Sequence, residues 1–275
     1  MLTTSRRHFL ASSSAAGLAA ASAAASPAAM KKAQNERPGS FLLVHGGFHG
    51  GWCYARVAHI LRSRGHRVFT PTLTGLGERS NLSNIGVNCS MHVQDIVNVI
   101  RWERLHQVTL CGHSYAGMVI GAVADRMHER IASLVYLDAV VPENGKSLLD
   151  LLDPAFQSAM MSAAAASGGL MLPPSPAAAL NVNAADQAMV DELCTPQPFA
   201  SLCERLELTG AYKKIPRKMF IRATAPAGPM PAAMFARVAD EISKDPSWSV
   251  EEVACGHDIM LDAPDRLAEL LLRAT

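Results

Sequence analysis

The sequence predicts an α/β fold: a mostly parallel sheet flanked by helices, with a helical cap inserted between two strands. Three observations predict it. From residue 40 onward, short apolar runs alternate with amphipathic stretches of helical period. The first of these runs, "FLLVHG" at 41–46, ends in glycine, as a buried parallel strand does where it opens onto a loop. The alternation breaks once, at about 143–214, over a length too great for a bare loop. Repeated strand–helix units imply right-handed crossovers, which place active residues on loops at the carboxyl ends of the strands.

The elements follow in order. Residues 1–29 read as a secretory signal of the twin-arginine type: Arg6 and Arg7 sit in Ser-Arg-Arg-x-Phe-Leu, an Ala/Ser/Leu-rich run follows, and Ala-x-Ala options stand at 23–25. Gly and Ser dilute that run, so a permanent membrane span is not expected. The expected location is periplasmic or secreted, with the mature chain starting between residues 26 and 34 and the folded domain covering 38–275. After the strand at 41–46, a helix over 52–65 sets Trp52, Val57, Ile60 and Leu61 on one face and stops at Gly65. A strand at 66–73, a helix at 91–105 and a strand at 107–112 come next. The helix at 115–130 turns Met118, Val119, Ala122, Val123 and Met127 inward, and a strand at 131–141 precedes the break. The cap holds helix-like pieces at 147–156, 155–166 and 184–194. The pattern resumes with strands at 218–224 and 247–253 and helices near 231–242 and at 264–274.

Composition narrows the function classes. A length of 275 residues with 49% hydrophobic content suits one globular domain carrying an insertion. A formal net charge of +1 gives no electrostatic case for nucleic acid or an anionic membrane surface. The six cysteines and ten histidines show no Cys-x-x-Cys and no helical His-x-x-x-His, so neither a metal nor another cofactor is expected. Cys111 lies in an apolar strand and reads as core. Cys194 and Cys203 pair only in an oxidising compartment, which the sequence leaves open.

The chemistry centres on "VTLCGHSYAGMVI", 108–120. Gly112-His113-Ser114-Tyr115-Ala116 is close to Gly-x-Ser-x-Gly, the turn that lifts a serine hydroxyl between a strand and a helix. Small residues flank such a serine because strand and helix backbones approach closely. Ala116 takes the second glycine's place and Gly117 follows. A serine hydroxyl needs a base. His257, in "ACGHDIML" between the last strand and last helix, is the candidate. His45, His49 and His113 lie near the same strand ends and are expected to support loops through hydrogen bonds, whereas His92 has no such placement. The base needs an orienting carboxylate. The loop after 218–224 carries none before Asp240, while Asp138 stands at the end of the strand beside the serine strand. Asp138 is therefore the expected acid, Glu143 the alternative, and Asp258 is too close to His257 in sequence to reach its far nitrogen. An oxyanion hole is expected from the backbone N–H groups of Tyr115 and of Gly47 in "HGGFHGGW". That loop lacks the Lys-Ser/Thr of a nucleotide cradle.

These segments together resemble the α/β-hydrolase superfamily, in particular plant methylesterases and hydroxynitrile lyases and their bacterial carboxylesterase relatives. The quoted motifs are "LLVHGGFHGGWCYARVAHILRSRGHRV", "TGLGERSNL", "LCGHSYAGMVI", "LVYLDAVVPENG" and "ACGHDIML". The resemblance covers about 40–275, most weakly in the cap, and implies nucleophile, base and oxyanion roles for Ser114, His257, Gly47 and Tyr115. Two departures matter. The plant members carry the acid after the penultimate strand; some haloalkane dehalogenases and cofactor-free dioxygenases of this fold carry it at the position of Asp138. The lyases have Thr and Lys where this chain has Gly46 and Asp258, so cyanohydrin cleavage is not expected. A dehalogenase would have an Asp at Ser114 and a Trp at Tyr115. The expectation is a serine carboxylesterase acting on a small to medium hydrophobic ester, with the Met- and Leu-rich cap supplying an apolar pocket. Its rivals are a cofactor-free dioxygenase and a non-catalytic ligand-binding homologue. The sequence leaves the oligomeric state open.

Overall fold

The computed structural model describes residues 38–225 and 232–275. The expected signal segment, 1–29, lies outside the described residues. In chain order the strands are β1 (Ser40–Val44), β2 (Arg67–Phe69), β3 (Val108–His113), β4 (Ile131–Leu137), β5 (Met171–Leu172), β6 (Gln197–Pro198), β7 (Arg217–Ala223) and β8 (Trp248–Val253). Six of them form one sheet in the order β2-β1-β3-β4-β7-β8, and every pairing in it is parallel. β5 and β6 make a separate antiparallel pair inside the inserted segment, which the sequence did not predict.

Alternation along the strands feeds two cores. Leu42, Val44, Leu110, Leu134 and Phe220 face one side, where they meet α2 (Cys89–Trp102) and α3 (Ala116–Met127). Phe41, Leu43, Cys111, Val135 and Ile221 face the other, against α1 (Ala55–Ser63) and the C-terminal helix Pro264–Arg273. Both faces of the sheet are thus covered, which is why its strands read as nearly continuous apolar runs.

The expected boundaries shift for local reasons. The 66–73 strand shortens to Arg67–Phe69, because Pro71 has no N–H to give a ladder. α2 starts two residues before the expected 91, since the Asn88 side chain caps it by accepting from the Met91 N–H at 2.9 Å. β4 stops at Leu137 rather than 141: Asp138 takes φ +42° and turns the chain out of the sheet. In the inserted segment, Ser147 and Asp150 form a capping box on Leu148–Leu151, and Asp153 caps Pro154–Ala165 with Pro at its first position. Arg56 on α1 holds this segment through two bonds of 2.6 Å to Asp186. Cys194 and Cys203 are both free thiols, so they do not pair. Among the described residues, no helix is long and apolar enough to cross a membrane.

Chain order reverses at β1, whose two sheet neighbours β2 and β3 lie on opposite sides of it. The carboxyl ends of β1 and β3 therefore splay their loops apart and leave a crevice. The run after Asp138 then crosses α3, and glycine permits the crossing. A Cβ on Gly117 would lie 1.9 Å from the Val140 carbonyl oxygen, and one on Gly121 would lie 2.3 Å from Pro142. Gly117→Ala is accordingly expected to destabilise the fold by about 1–3 kcal/mol, read as a lower urea midpoint at unchanged m-value.

Candidate active site

Ser114 sits between the end of β3 and the first residue of α3, with φ +53°. A non-glycine residue held there is strained, and its neighbours must hold it. The Ser114 N–H donates to the Leu137 carbonyl at 3.1 Å, and its own carbonyl accepts from Gly117 at 3.1 Å and Val140 at 3.2 Å. Gly117, rather than residue 116, is where a side chain would collide, so Ala116 is tolerated in place of the usual glycine.

The next strand supplies Asp138, also at positive φ. Its N–H donates to Ile221 of β7 at 2.7 Å, and its Oδ1 accepts from the Ala223 N–H at 3.2 Å. Its Oδ2 lies 2.7 Å from His257 Nδ1, with both side chains buried. The bond fixes the proton on Nδ1 and leaves Nε2 free to accept. Ser114 and His257 line one cavity, though no direct bond joins them among the described residues; such contacts often close only around substrate. Glu143 lies beyond Pro142 with its side chain exposed, and the His257 Nδ1 partner is Asp138.

The loop after β1 brings Gly47 beside Tyr115: a Cβ on Gly47 would lie 3.8 Å from that of Tyr115. His45 Nδ1 donates to the Gly46 carbonyl at 2.7 Å, which orients the Gly46–Gly47 peptide and hence the Gly47 N–H. The Leu73 N–H donates to His45 Nε2 at 3.0 Å, so His45 is neutral. Its burial agrees, holding its pKa down at about 3. A side chain on Gly46 would meet His113 Nδ1 at 2.6 Å, so the threonine of the lyases has no room here. Phe48 takes φ +68°, and the buried Gln197 of the inserted segment accepts from its N–H at 3.1 Å.

Sequence reasoning missed three of these supports. His92, on α2, is fully buried; its Nε2 lies 2.8 Å from the Thr74 carbonyl and its Nδ1 lies 2.8 Å from the Tyr115 hydroxyl. Nε2 must donate to the carbonyl, so Nδ1 accepts from Tyr115. The signal was a histidine on the apolar face of an amphipathic helix. Gln197 gave no signal, because its partner Phe48 is 149 residues away. Asp258 is excluded as the His257 partner, as expected, but it is fully buried and pairs with His49 at 3.2 Å. His49 also lies 2.8 Å from the Gly47 carbonyl, and His113 Nε2 donates to the His257 carbonyl at 3.0 Å. The loop-supporting roles expected of His45, His49 and His113 are what the geometry shows.

A cavity of about 210 Å³ opens above these residues. Its walls are apolar: Phe48 from the first loop, Leu148, Phe156, Met160 and Leu172 from the inserted segment, and Phe235. The Phe235 ring stacks on His257 at 5.6 Å and 11°. The apolar pocket expected of the Met- and Leu-rich insert is present, although Met161, Leu170 and Leu193 point outward.

The sequence profile of the alpha/beta hydrolase family matches residues 41–270, and the chain belongs to that family. A carbendazim hydrolyzing esterase from Nocardioides sp. (strain SG-4G) is 42% identical over 240 residues, covering 84% of this chain and 98% of that protein. Methylesterase 1 of Arabidopsis thaliana is 28% identical over 123 residues, 44% of this chain and 47% of its own length. A solved extracellular α/β-hydrolase from a Paenibacillus species, described as sharing structural and functional homology with tobacco salicylic acid binding protein 2, aligns with a TM-score of 0.73. Its identity is 25%, over 86% of this chain and 99% of that one.

Burial holds the pKa of His45, His92 and His113 below the ordinary imidazole value, with His257 adding to the effect at His113. Unfolding lets each take up a proton that the native state refuses. Their contribution to stability is therefore full above pH ~6.5 and falls on acidification below it, by up to about 1.4 kcal/mol per pH unit for each such histidine. Urea unfolding at pH 7 and pH 5 is expected to show this drop, and His92→Gln is expected to lessen it.

Proposed function

We propose that this protein is a serine carboxylesterase that hydrolyses small to medium hydrophobic esters through an acyl-enzyme. The single observation that carries the reading is the buried 2.7 Å bond between His257 Nδ1 and Asp138 Oδ2, beneath a cavity that also holds Ser114. His257 Nε2 takes the Ser114 proton as Oγ attacks the ester carbonyl. The carbonyl oxygen becomes an oxyanion that accepts from the Gly47 and Tyr115 N–H groups, each worth about 3 kcal/mol in the transition state. Imidazolium then protonates the leaving alcohol. Water, deprotonated by the same nitrogen, releases the acid and restores Ser114. Asp138 holds the tautomer and stabilises the transient positive charge.

Cavity size and lining support the substrate class. An apolar cavity of 150 Å³ holds benzene, so about 210 Å³ has room for one aromatic ring and a short ester. The Nocardioides relative is named for carbendazim, which makes that compound a substrate to test beside simple aryl esters. The reading extends to export: the Arg6-Arg7 signal directs the folded enzyme to the periplasm or the medium.

Purified protein is expected to hydrolyse p-nitrophenyl butyrate faster than p-nitrophenyl laurate. Ser114→Ala is expected to abolish turnover, and Asp138→Asn to lower kcat by a factor on the order of 10⁴ with the fold intact, while Glu143→Gln stays near wild type. Equal activity in Ser114→Ala, or oxygen uptake in place of acid release, overturns the mechanism. Replacing Arg6 and Arg7 by Lys is expected to retain the protein in the cytoplasm, checked by fractionation.

A further inference from the structure

His49 and Asp258 form a buried ion pair that the triad does not use. We infer that this pair is a permanent imidazolium–carboxylate couple that positions the oxyanion loop against the loop carrying the base. The inference rests on the serine-esterase reading for its catalytic consequence, but not for the charge state.

The charge state follows from the partners. His49 Nδ1 lies 2.8 Å from the Gly47 carbonyl oxygen, and His49 Nε2 lies 3.2 Å from Asp258 Oδ2. A carbonyl accepts only, and an ionised carboxylate accepts only. Both ring nitrogens therefore carry hydrogen, and the ring is a cation. Every other buried histidine near the crevice has a neutral solution: His45 accepts from Leu73, and His92 from the Tyr115 hydroxyl. His49 has none. Its side chain is 3% exposed and that of Asp258 is fully buried, so the couple is held away from bulk water. The Trp52 ring stacks on His49 at 5.3 Å and 24°, a face that favours a cation.

The surroundings agree. Burial opposes the charge on His49, and the Asp258 carboxylate overcomes it, raising the His49 pKa well above the imidazole range; Cys194 adds to the rise. Burial likewise opposes ionisation of Asp258, but His49, with smaller help from His113 and His257, holds its pKa well below the carboxylate range. The other titratable groups that face the couple among the described residues are neutral His113 from β3, His45 from the same loop, Cys53 and Tyr54 from the turn that follows it, and Cys255 from the loop before His257.

The couple joins what catalysis needs joined. His49 grips the Gly47 carbonyl, and Asp258 directly follows His257, so one contact links residues 209 positions apart. His113 ties in the third part, since it precedes Ser114 and donates to the His257 carbonyl. The positive ring also lies in the loop whose Gly47 N–H meets the oxyanion. Gly47 is thereby held ready for charge that appears only in the transition state, where a fixed donor acts without reorganising.

The couple should therefore lower the barrier without tightening substrate binding. Asp258→Asn is expected to reduce kcat about tenfold or more, short of the 10²–10³ lost when an oxyanion donor is deleted outright. KM stays close to wild type, and a trifluoromethyl ketone that mimics the tetrahedral intermediate weakens by the same factor as kcat/KM. Without Asp258 the His49 proton leaves at lower pH, so the alkaline fall in kcat/KM moves downward. A second readout needs no variant and no activity: in wild type at pH 8, both His49 ring nitrogens give ¹⁵N shifts of protonated imidazole. Should Asp258→Asn not fold, His49→Gln is expected to reproduce the kcat and inhibitor losses. A neutral His49 at pH 8 overturns the inference, as does a folded Asp258→Asn with unchanged kcat and inhibitor affinity, or one that loses only thermal stability. Loss of Ser114 dependence would instead strike the esterase reading, with the ¹⁵N shifts still deciding the charge on His49.

Discussion

The register of β3 against β4, and of β4 against β7, is the constraint on which the rest of the site depends. Leu137 pairs with both His113 and Ile221, so the three strands end side by side. Each of the next two turns is then tied to a neighbour's end: Ser114 to Leu137, and Asp138 to Ile221. Both residues hold positive φ, a conformation that costs about 1–3 kcal/mol apiece and persists only where the surroundings fix it. Here the fixing groups are backbone amides of a six-stranded parallel sheet buried on both faces. A carboxylate and a hydroxyl are thus held at adjacent strand ends without either depending on a flexible side chain for its place.

That arrangement accounts for a carboxylate partner of His257 at the end of β4 rather than after β7. Asp138 reaches His257 from the centre of the sheet, while its other oxygen accepts from Ala223 at the end of β7. The carboxylate therefore still bonds with the penultimate strand, though it is carried by the neighbouring one. Positioning passes through backbone on both sides of it.

Around this frame, protonation is set by partners. Five buried histidines stand near the crevice, and the acceptor or donor opposite a ring nitrogen selects its form. His45 and His92 are neutral because each receives a hydrogen bond, and His257 carries its proton on Nδ1 because Asp138 lies there. His113 donates from Nε2, and its Nδ1 is buried with no partner, as is Asp258 Oδ1. Burial enforces these choices, since an ill-matched proton in a dry site has no water to move to. The same burial makes the assembly sensitive to acid. The inserted segment closes the site from above and also shapes it from within, because Gln197 bonds the Phe48 N–H while Leu148, Phe156 and Met160 wall the cavity.

By itself the sequence determined the alternation of strand and helix, the serine turn, the histidine on the last loop and the aspartate at the end of the fourth strand. These are local signals: side-chain period, small residues around one serine, and a histidine or aspartate at the end of an apolar run. The boundaries were less legible. β4 ends at Leu137 because Asp138 turns to positive φ, held there by its bond to a strand about eighty residues onward, and nothing in 131–141 announces that partner. Only the tertiary structure decided which buried histidines are neutral and which is charged, that His92 supports Tyr115, that Gln197 holds the first loop, and that Asp258 pairs with His49. Each of those outcomes is a contact between groups remote in the chain. A hydrogen bond or an ion pair has its strength from distance and burial, and neither can be read along a sequence until the fold has brought the two partners together.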